Sequence, residues 1–207
     1  MIKLYARADC PFCWKVKIAL AELALPFDLV ATRLGEKHPE VVALSPRQSV
    51  PVLVDDALVI WESAVILEYL HDAYGDQRAS LLPQAPAARA RARLIHSYSD
   101  QVIGPALRDT VFEKRTKPPE DWDQELLAQS AARWRACLVQ LETWLDGGDA
   151  FAGDFSLAEC ALAPRFGLAQ AYGVGVDDDF PGLARWFATI QARPSYQATL
   201  PRSFPGL

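Results

Sequence analysis

The sequence predicts an α/β domain of order βαβαββα followed by an all-helical domain. Three observations carry this. Strand-like runs alternate with amphipathic helical segments across residues 1–75. From about residue 86 onward every periodic segment is helical. Between the two lies Leu81-Leu82-Pro83-Gln84-Ala85-Pro86, whose prolines interrupt regular structure. The expected domains are therefore 1–76 and 87–207, joined by a linker over 77–86.

The elements follow in order. Ile2-Lys3-Leu4-Tyr5-Ala6 reads as a strand, broken by Asp9-Cys10-Pro11. Residues 11–24 read as a helix with Val16, Ala19, Leu20 and Leu23 on one face; Pro11 suits its first turn, where the missing N–H is not needed. After Pro26, residues 27–32 are apolar and β-branched enough for a second strand. A short helix over 38–44 ends at Ser45-Pro46, and two strands, 51–54 and 58–61, flank a turn at Asp55-Asp56. Val65, Ile66, Tyr69, Leu70 and Ala73 then mark a helix closed by Gly75.

In the second domain, helices are expected over 87–108, 156–172 and 181–192, the first bent or ended at Gly104-Pro105. Between them Leu127, Ala131, Trp134, Leu138, Leu141 and Leu145 recur at helical spacing, a seam that stops at Gly147-Gly148. Ser156-Leu157-Ala158-Glu159 has the spacing of a capping box, a folding signal with no chemistry assigned to it.

Composition narrows the function classes. The net charge is −5 and both parts of the chain are mildly acidic, which argues against a nucleic-acid surface; Arg89, Arg91 and Arg93 alternate around a helix and are expected to be solvated. Charges or prolines interrupt every apolar run, so no membrane span is expected, and the opening lacks a signal-peptide pattern, so the expected location is cytoplasmic. Four cysteines are too few for a disulfide scaffold. Cys137 and Cys160 fall in helical apolar patterns and are expected to be buried.

Cys10 and Cys13 are different. Cys10-Pro11-Phe12-Cys13 stands between a strand and a helix, where the free N–H groups and positive dipole end of the helix favour thiolate over thiol, with Lys15 and Lys17 adding charge. An unperturbed thiol of pKa about 8.5 is only about 3% ionised at neutral pH. Lowering the pKa gains thiolate but loses nucleophilicity, so the larger benefit is that Cys10 leaves readily when a second thiol attacks a mixed disulfide on it. Cys10 is the expected nucleophile and Cys13 an optional resolving thiol. His38, His71 and His96 supply no second ligand pair, and no metal is expected.

The strand–Cys-Pro-x-Cys–helix opening resembles glutaredoxins and the thioredoxin fold. Ser49-Val50-Pro51-Val52-Leu53 followed by Trp61-Glu62-Ser63-Ala64 narrows this, for it is similar to the glutathione-binding signature of the glutathione transferase superfamily, in which a thioredoxin-like domain precedes an all-helical one. With cysteine at position 10, the chain resembles the cysteine-type, omega-like members and the glutaredoxins that carry a transferase-type helical domain. The resemblance implies a cis bond before Pro51, Val50 pairing through its backbone with the cysteinyl part of glutathione, and Glu62 and Ser63 holding the γ-glutamyl ammonium and carboxylate. It also implies Lys37 at the glycyl carboxylate, with His38 as the alternative, and Leu34 in register.

The implied function is a glutathione-dependent thioltransferase, with glutathione as cosubstrate and a small-molecule or protein disulfide as partner. Dehydroascorbate or a glutathionyl conjugate could be reduced by related chemistry. Two alternatives stand beside it: conjugation of glutathione to hydrophobic electrophiles in a pocket between the domains, and a non-enzymatic, stringent-starvation-type partner of the transcription machinery. The family also implies a homodimer.

Overall fold

The computed structural model describes residues 1–75 and 80–202. Residues 76–79 and 203–207, which include part of the expected linker and the last residues of the expected helical domain, lie outside the described residues. The chain divides into two compact units.

The first unit contains β1 (Ile2–Ala6), α1 (Pro11–Glu22), β2 (Phe27–Ala31), α2 (Pro39–Leu44), β3 (Val52–Asp55), β4 (Leu58–Trp61) and α3 (Ser63–Tyr74), the βαβαββα order read from the sequence. Its sheet runs β2-β1-β3-β4, with β2 parallel and β3 antiparallel to β1, and β4 antiparallel to β3. β1 is central, so both its faces are covered and Leu4, Tyr5 and Ala6 are buried in succession. Tyr5 lies opposite Val52 in the register and packs with Val41 of α2. Period-two alternation turns the neighbouring pair, Leu4 and Leu53, to the other face.

α3 departs from its expected stripe: Ile66, Leu67, Leu70 and His71 are buried, while Val65 is exposed. The C-terminal segment departs further. Residues 194–202 belong to the first unit rather than to the helical domain to which the sequence reading assigned them. α9 (Pro194–Thr199) packs on α1. There the Trp14 indole N–H donates to Thr199 Oγ1 at 3.0 Å, and its ring lies 5.2 Å from that of Tyr196. The Ser195 hydroxyl donates to Glu22. Both α9 and α3 pack on α1, so Cys13 through Val16 are buried without a break and α1 shows no clean amphipathic stripe.

The second unit comprises α4 (Pro86–Tyr98), α5 (Gly104–Thr116), α6 (Gln124–Leu145), α7 (Leu157–Ala171) and α8 (Pro181–Ala192). Gly104-Pro105 does mark a change, but the helix passes through a π-helical turn over Ser99–Ile103 and continues to Thr116. Pro105 is accommodated because it stands at the start of α5, where the wider turn removes the demand for its N–H. α7 is central and buried from Leu157 to Ala169, its start fixed by the expected capping box. Glu159 accepts from the backbone N–H of Ser156 at 2.8 Å and of Phe151 at 2.9 Å. Cys137 and Cys160 are buried, as their patterns imply.

Arg91 is not simply solvated. Its guanidinium donates to the carbonyls of Phe151 and Trp144, the latter in the last turn of α6, where carbonyls have no intrahelical donor. Arg91→Ala leaves both acceptors to water and is expected to lower stability by about 1–2 kcal/mol, read as a lower urea midpoint at unchanged m-value.

Candidate active site

The site is assembled at the end of β1 and the starts of β3, α1 and α3. Cys10 is the N-cap of α1, with φ −88° and ψ 119°, and Pro11 follows in the first turn. The Trp14 N–H donates to the Cys10 carbonyl at 2.9 Å, closing that turn and leaving the Cys10 side chain beside the helix's free donors.

Cys10 is 6% exposed and its pKa is lowered to about 6. The largest cause is the Cys13 thiol, which donates to the Cys10 sulfur. Burial opposes this, while the backbone N–H groups of Cys13 and Phe12 and the charge of Arg7 reinforce it. Cys13, fully buried beneath, is pushed well above the ordinary thiol range by burial and by its neighbour. Its sulfur also accepts from the Arg7 N–H at 3.5 Å. The two sulfurs are thus differentiated: Cys10 carries the charge and Cys13 holds the proton.

The cations differ from those the sequence suggested. Lys15 is buried, with its ammonium 5.4 Å from the centre of the Phe12 ring. Lys17 is half-buried, and burial lowers its pKa against the opposing pull of both sulfurs. Arg7, which carries no signal in the sequence, also lowers the Cys10 pKa; its Nε donates to Asp9 at 2.7 Å.

Beside Cys10 lies an open cleft of about 350 Å³, which brings Cys10, Lys37, His38 and Val50 together with Arg7 and Gln48. The Val50–Pro51 bond is cis. Lys37 Nζ donates to Gln48 Oε1 at 2.8 Å, and His38 Nδ1 is buried with no hydrogen-bond partner. Leu34 is half exposed and is not among the residues that line the cleft.

Val52 pairs with Trp61, and continuing that antiparallel register sets Pro51 beside Glu62. Glu62 is the N-cap of α3 at φ 76° and ψ 109°, and its side chain makes no capping hydrogen bond to the helix's first turn. Ser63, the first residue of α3, is buried. An uncapped helix start beside a buried hydroxyl suits an anion, and the Glu62 carboxylate suits a cation. Arg47, a residue with no signal in the sequence, reaches Glu62 Oε1 through Nη1 at 2.8 Å. Among the described residues no group of three or more His, Cys, Asp or Glu is placed to hold a metal ion.

The family model of the glutathione S-transferase N-terminal domain matches residues 4–78, and that of the C-terminal domain matches residues 107–194. The chain is 32% identical over 202 residues to glutathione S-transferase GstB of Escherichia coli K12, covering 94% of this chain and 95% of that one. It is 31% identical over 207 residues to FtsZ-localized protein A of Caulobacter vibrioides, covering 95% and 90%. Among solved structures, a glutathione S-transferase from Methylobacterium radiotolerans in complex with glutathione sulfonate superposes with a TM-score of 0.80 at 29% identity, over 97% of this chain and 94% of that one. With both domains matched and the likeness running nearly end to end, the chain belongs to the glutathione S-transferase family.

Proposed function

We propose that this protein is a glutathione-dependent thioltransferase in which Cys10 is the nucleophile. The observation that carries the reading is the Cys10 pKa, lowered to about 6 by the Cys13 thiol and the first-turn N–H groups, at the wall of an open cleft. The Cys10 thiolate attacks the glutathionyl sulfur of a mixed disulfide; a Cys10–glutathione disulfide forms and the substrate thiolate departs, taking a proton from water. A second glutathione thiolate then attacks the glutathionyl sulfur, releasing glutathione disulfide and regenerating the Cys10 thiolate. Its low pKa makes Cys10 a good leaving group in that step.

In this reading Val50 pairs through its backbone with the cysteinyl part of glutathione. Ser63 and the open start of α3 take the γ-glutamyl carboxylate, and Glu62 takes the ammonium. Lys37, which lines the cleft, receives the glycyl carboxylate, with His38, which lines it too, as the alternative. Leu34 is exposed outside the cleft, and its replacement by alanine is expected to leave the KM for glutathione unchanged. Ser63→Ala removes one donor to a bound carboxylate and is expected to raise the KM for glutathione about tenfold with kcat little changed, measured in a coupled disulfide-reductase assay. Turnover on aryl halides with negligible disulfide reduction would replace this reading with the conjugating one.

A reduced glutathione pool is what the second step consumes, which favours the cytoplasm, and no helix among the described residues is long and apolar enough to cross a membrane. The protein is proposed to act as a homodimer, a state that sedimentation measures directly.

A further inference from the structure

The geometry points to Arg47 as a positioning residue that acts through Glu62 to make the site selective for γ-glutamyl ligands bearing a free α-ammonium. The inference rests on the reading of Glu62 and Ser63 as the γ-glutamyl subsite. Glu62 has its backbone fixed at a positive φ of 76°, sparsely populated for a residue with a side chain, between the end of β4 and the start of α3. What remains free is the rotation of its own side chain. Arg47 removes that freedom: its Nη1 holds Oε1 at 2.8 Å. The second carboxylate oxygen, Oε2, is left for another donor.

Arg47 itself is placed by a tight local structure. It lies in the turn that follows α2, where the Gln48 N–H donates to the Ser45 carbonyl at 2.9 Å, and Gln48 takes a positive φ of 52°. Two side chains of this turn therefore reach groups facing the ligand: Arg47 holds Glu62, and Gln48 accepts from Lys37. The segment between α2 and the cis-proline acts as a clamp on charges at two points of the site.

The pair is too open to be explained by stability. The side chains are 67% and 42% exposed, and an exposed ion pair contributes little to folding. Its effect is on binding. A carboxylate already ordered in the pose that meets an ammonium loses less rotamer freedom when the ligand arrives, a gain of about three- to tenfold in affinity. Repulsion between Arg47 and the ligand ammonium acts the other way, but it is exerted at a solvent-exposed site, is screened by salt, and is offset by the carboxylate between the two cations.

The test compares two ligands that differ only in the α-amino group: glutathione and its desamino analogue, glutaryl-cysteinyl-glycine. Dissociation constants are measured by calorimetry at physiological ionic strength for the wild type, Arg47→Ala, Arg47→Lys, Glu62→Gln and the double variant, each checked for folding by circular dichroism. The expected result is that the wild type prefers glutathione, that Arg47→Ala cuts this preference about fivefold while leaving the analogue's affinity unchanged, and that Arg47→Lys restores part of it. In the Glu62→Gln background Arg47→Ala should have no further effect, because the two act as one unit. A wild type that fails to discriminate overturns both the subsite reading and this inference. A wild type that discriminates while Arg47→Ala keeps or increases the preference overturns the inference alone, as does an equal loss of affinity for both ligands.

Discussion

Cys10→Ala is expected to abolish glutathione-dependent disulfide reduction, a loss of at least about a thousandfold in kcat/KM, while the protein still binds glutathione. Both chemical steps pass through this sulfur: it accepts the glutathionyl group in the first and leaves in the second. No other sulfur can take over. Cys13 is fully buried and kept protonated, and Cys137 and Cys160 are buried in the helical unit. At pH 7 a thiol with a pKa of about 6 is about 90% ionised, against about 3% for an unperturbed one. Loss of Cys10 therefore removes the only cysteine that is both charged and at the cleft wall. The measurement is a reductase assay with a glutathionyl mixed disulfide, with mass spectrometry of the wild type for a Cys10–glutathione adduct. Full turnover by Cys10→Ala would refute the thioltransferase mechanism. Calorimetric binding of glutathione by the variant keeps a folding defect from being mistaken for a chemical one.

What could be read from sequence, and what could not, follows from how far apart the interacting residues lie. The strand ending before Cys10, the proline opening α1, and the Ser156–Glu159 capping box are local: each is settled within a few residues, so spacing alone carries the signal. The Val50–Pro51 and Glu62–Ser63 segments are also local patterns, recognisable through their resemblance to a known signature. Arg7 and Arg47 gave no such signal. A single arginine in a charged surface segment looks the same whether it points into water or holds the side chain that meets a ligand; only the fold brings Arg47 to Glu62, 15 positions away.

The burial of Lys15 and the return of α9 to the first unit escaped for a related reason. Periodicity says that a helix has an apolar face but not which partner covers it, and Trp14 meets Thr199 across 185 positions. Arg91 illustrates the opposite error. Its alternation with Arg89 and Arg93 excluded a basic stripe, but this said nothing about the unpaired carbonyls at the end of α6 within its reach.

Cys13→Ala separates the two roles open to the second sulfur. If Cys13 acts as a hydrogen-bond donor, its removal takes away the largest cause of the lowered Cys10 pKa. A hydrogen bond to a charged acceptor is worth about 1.5–3 kcal/mol, which at about 1.4 kcal/mol per pKa unit shifts Cys10 upward by about one to two units. The sign follows from the depressed pKa: thiolate is present above the folded-state pKa and is lost as the pH falls through it. Iodoacetamide alkylation of the wild type should therefore rise to half its plateau near pH 6, and that of Cys13→Ala between about pH 7 and 8. Cys13→Ser keeps a donor, an O–H on a shorter side chain than the thiol it replaces, and should fall between them.

The same variant reads the mechanism. A resolving thiol must itself become a thiolate to attack the Cys10–glutathione disulfide, and burial holds Cys13 far from that state. Once Cys10 is in the disulfide, its negative charge no longer raises the Cys13 pKa, but the burial remains. Glutathione reaching the cleft from solvent meets no such barrier. At pH 8, where at least about half of Cys10 in the variant is ionised, glutathione-linked turnover by Cys13→Ala should stay within about threefold of the wild type, whereas at pH 6 it should fall about fivefold or more. Loss of turnover at both pH values would instead make Cys13 the resolving thiol of a dithiol cycle, and the adduct trapped on Cys10 of that variant would then accumulate rather than clear on addition of glutathione.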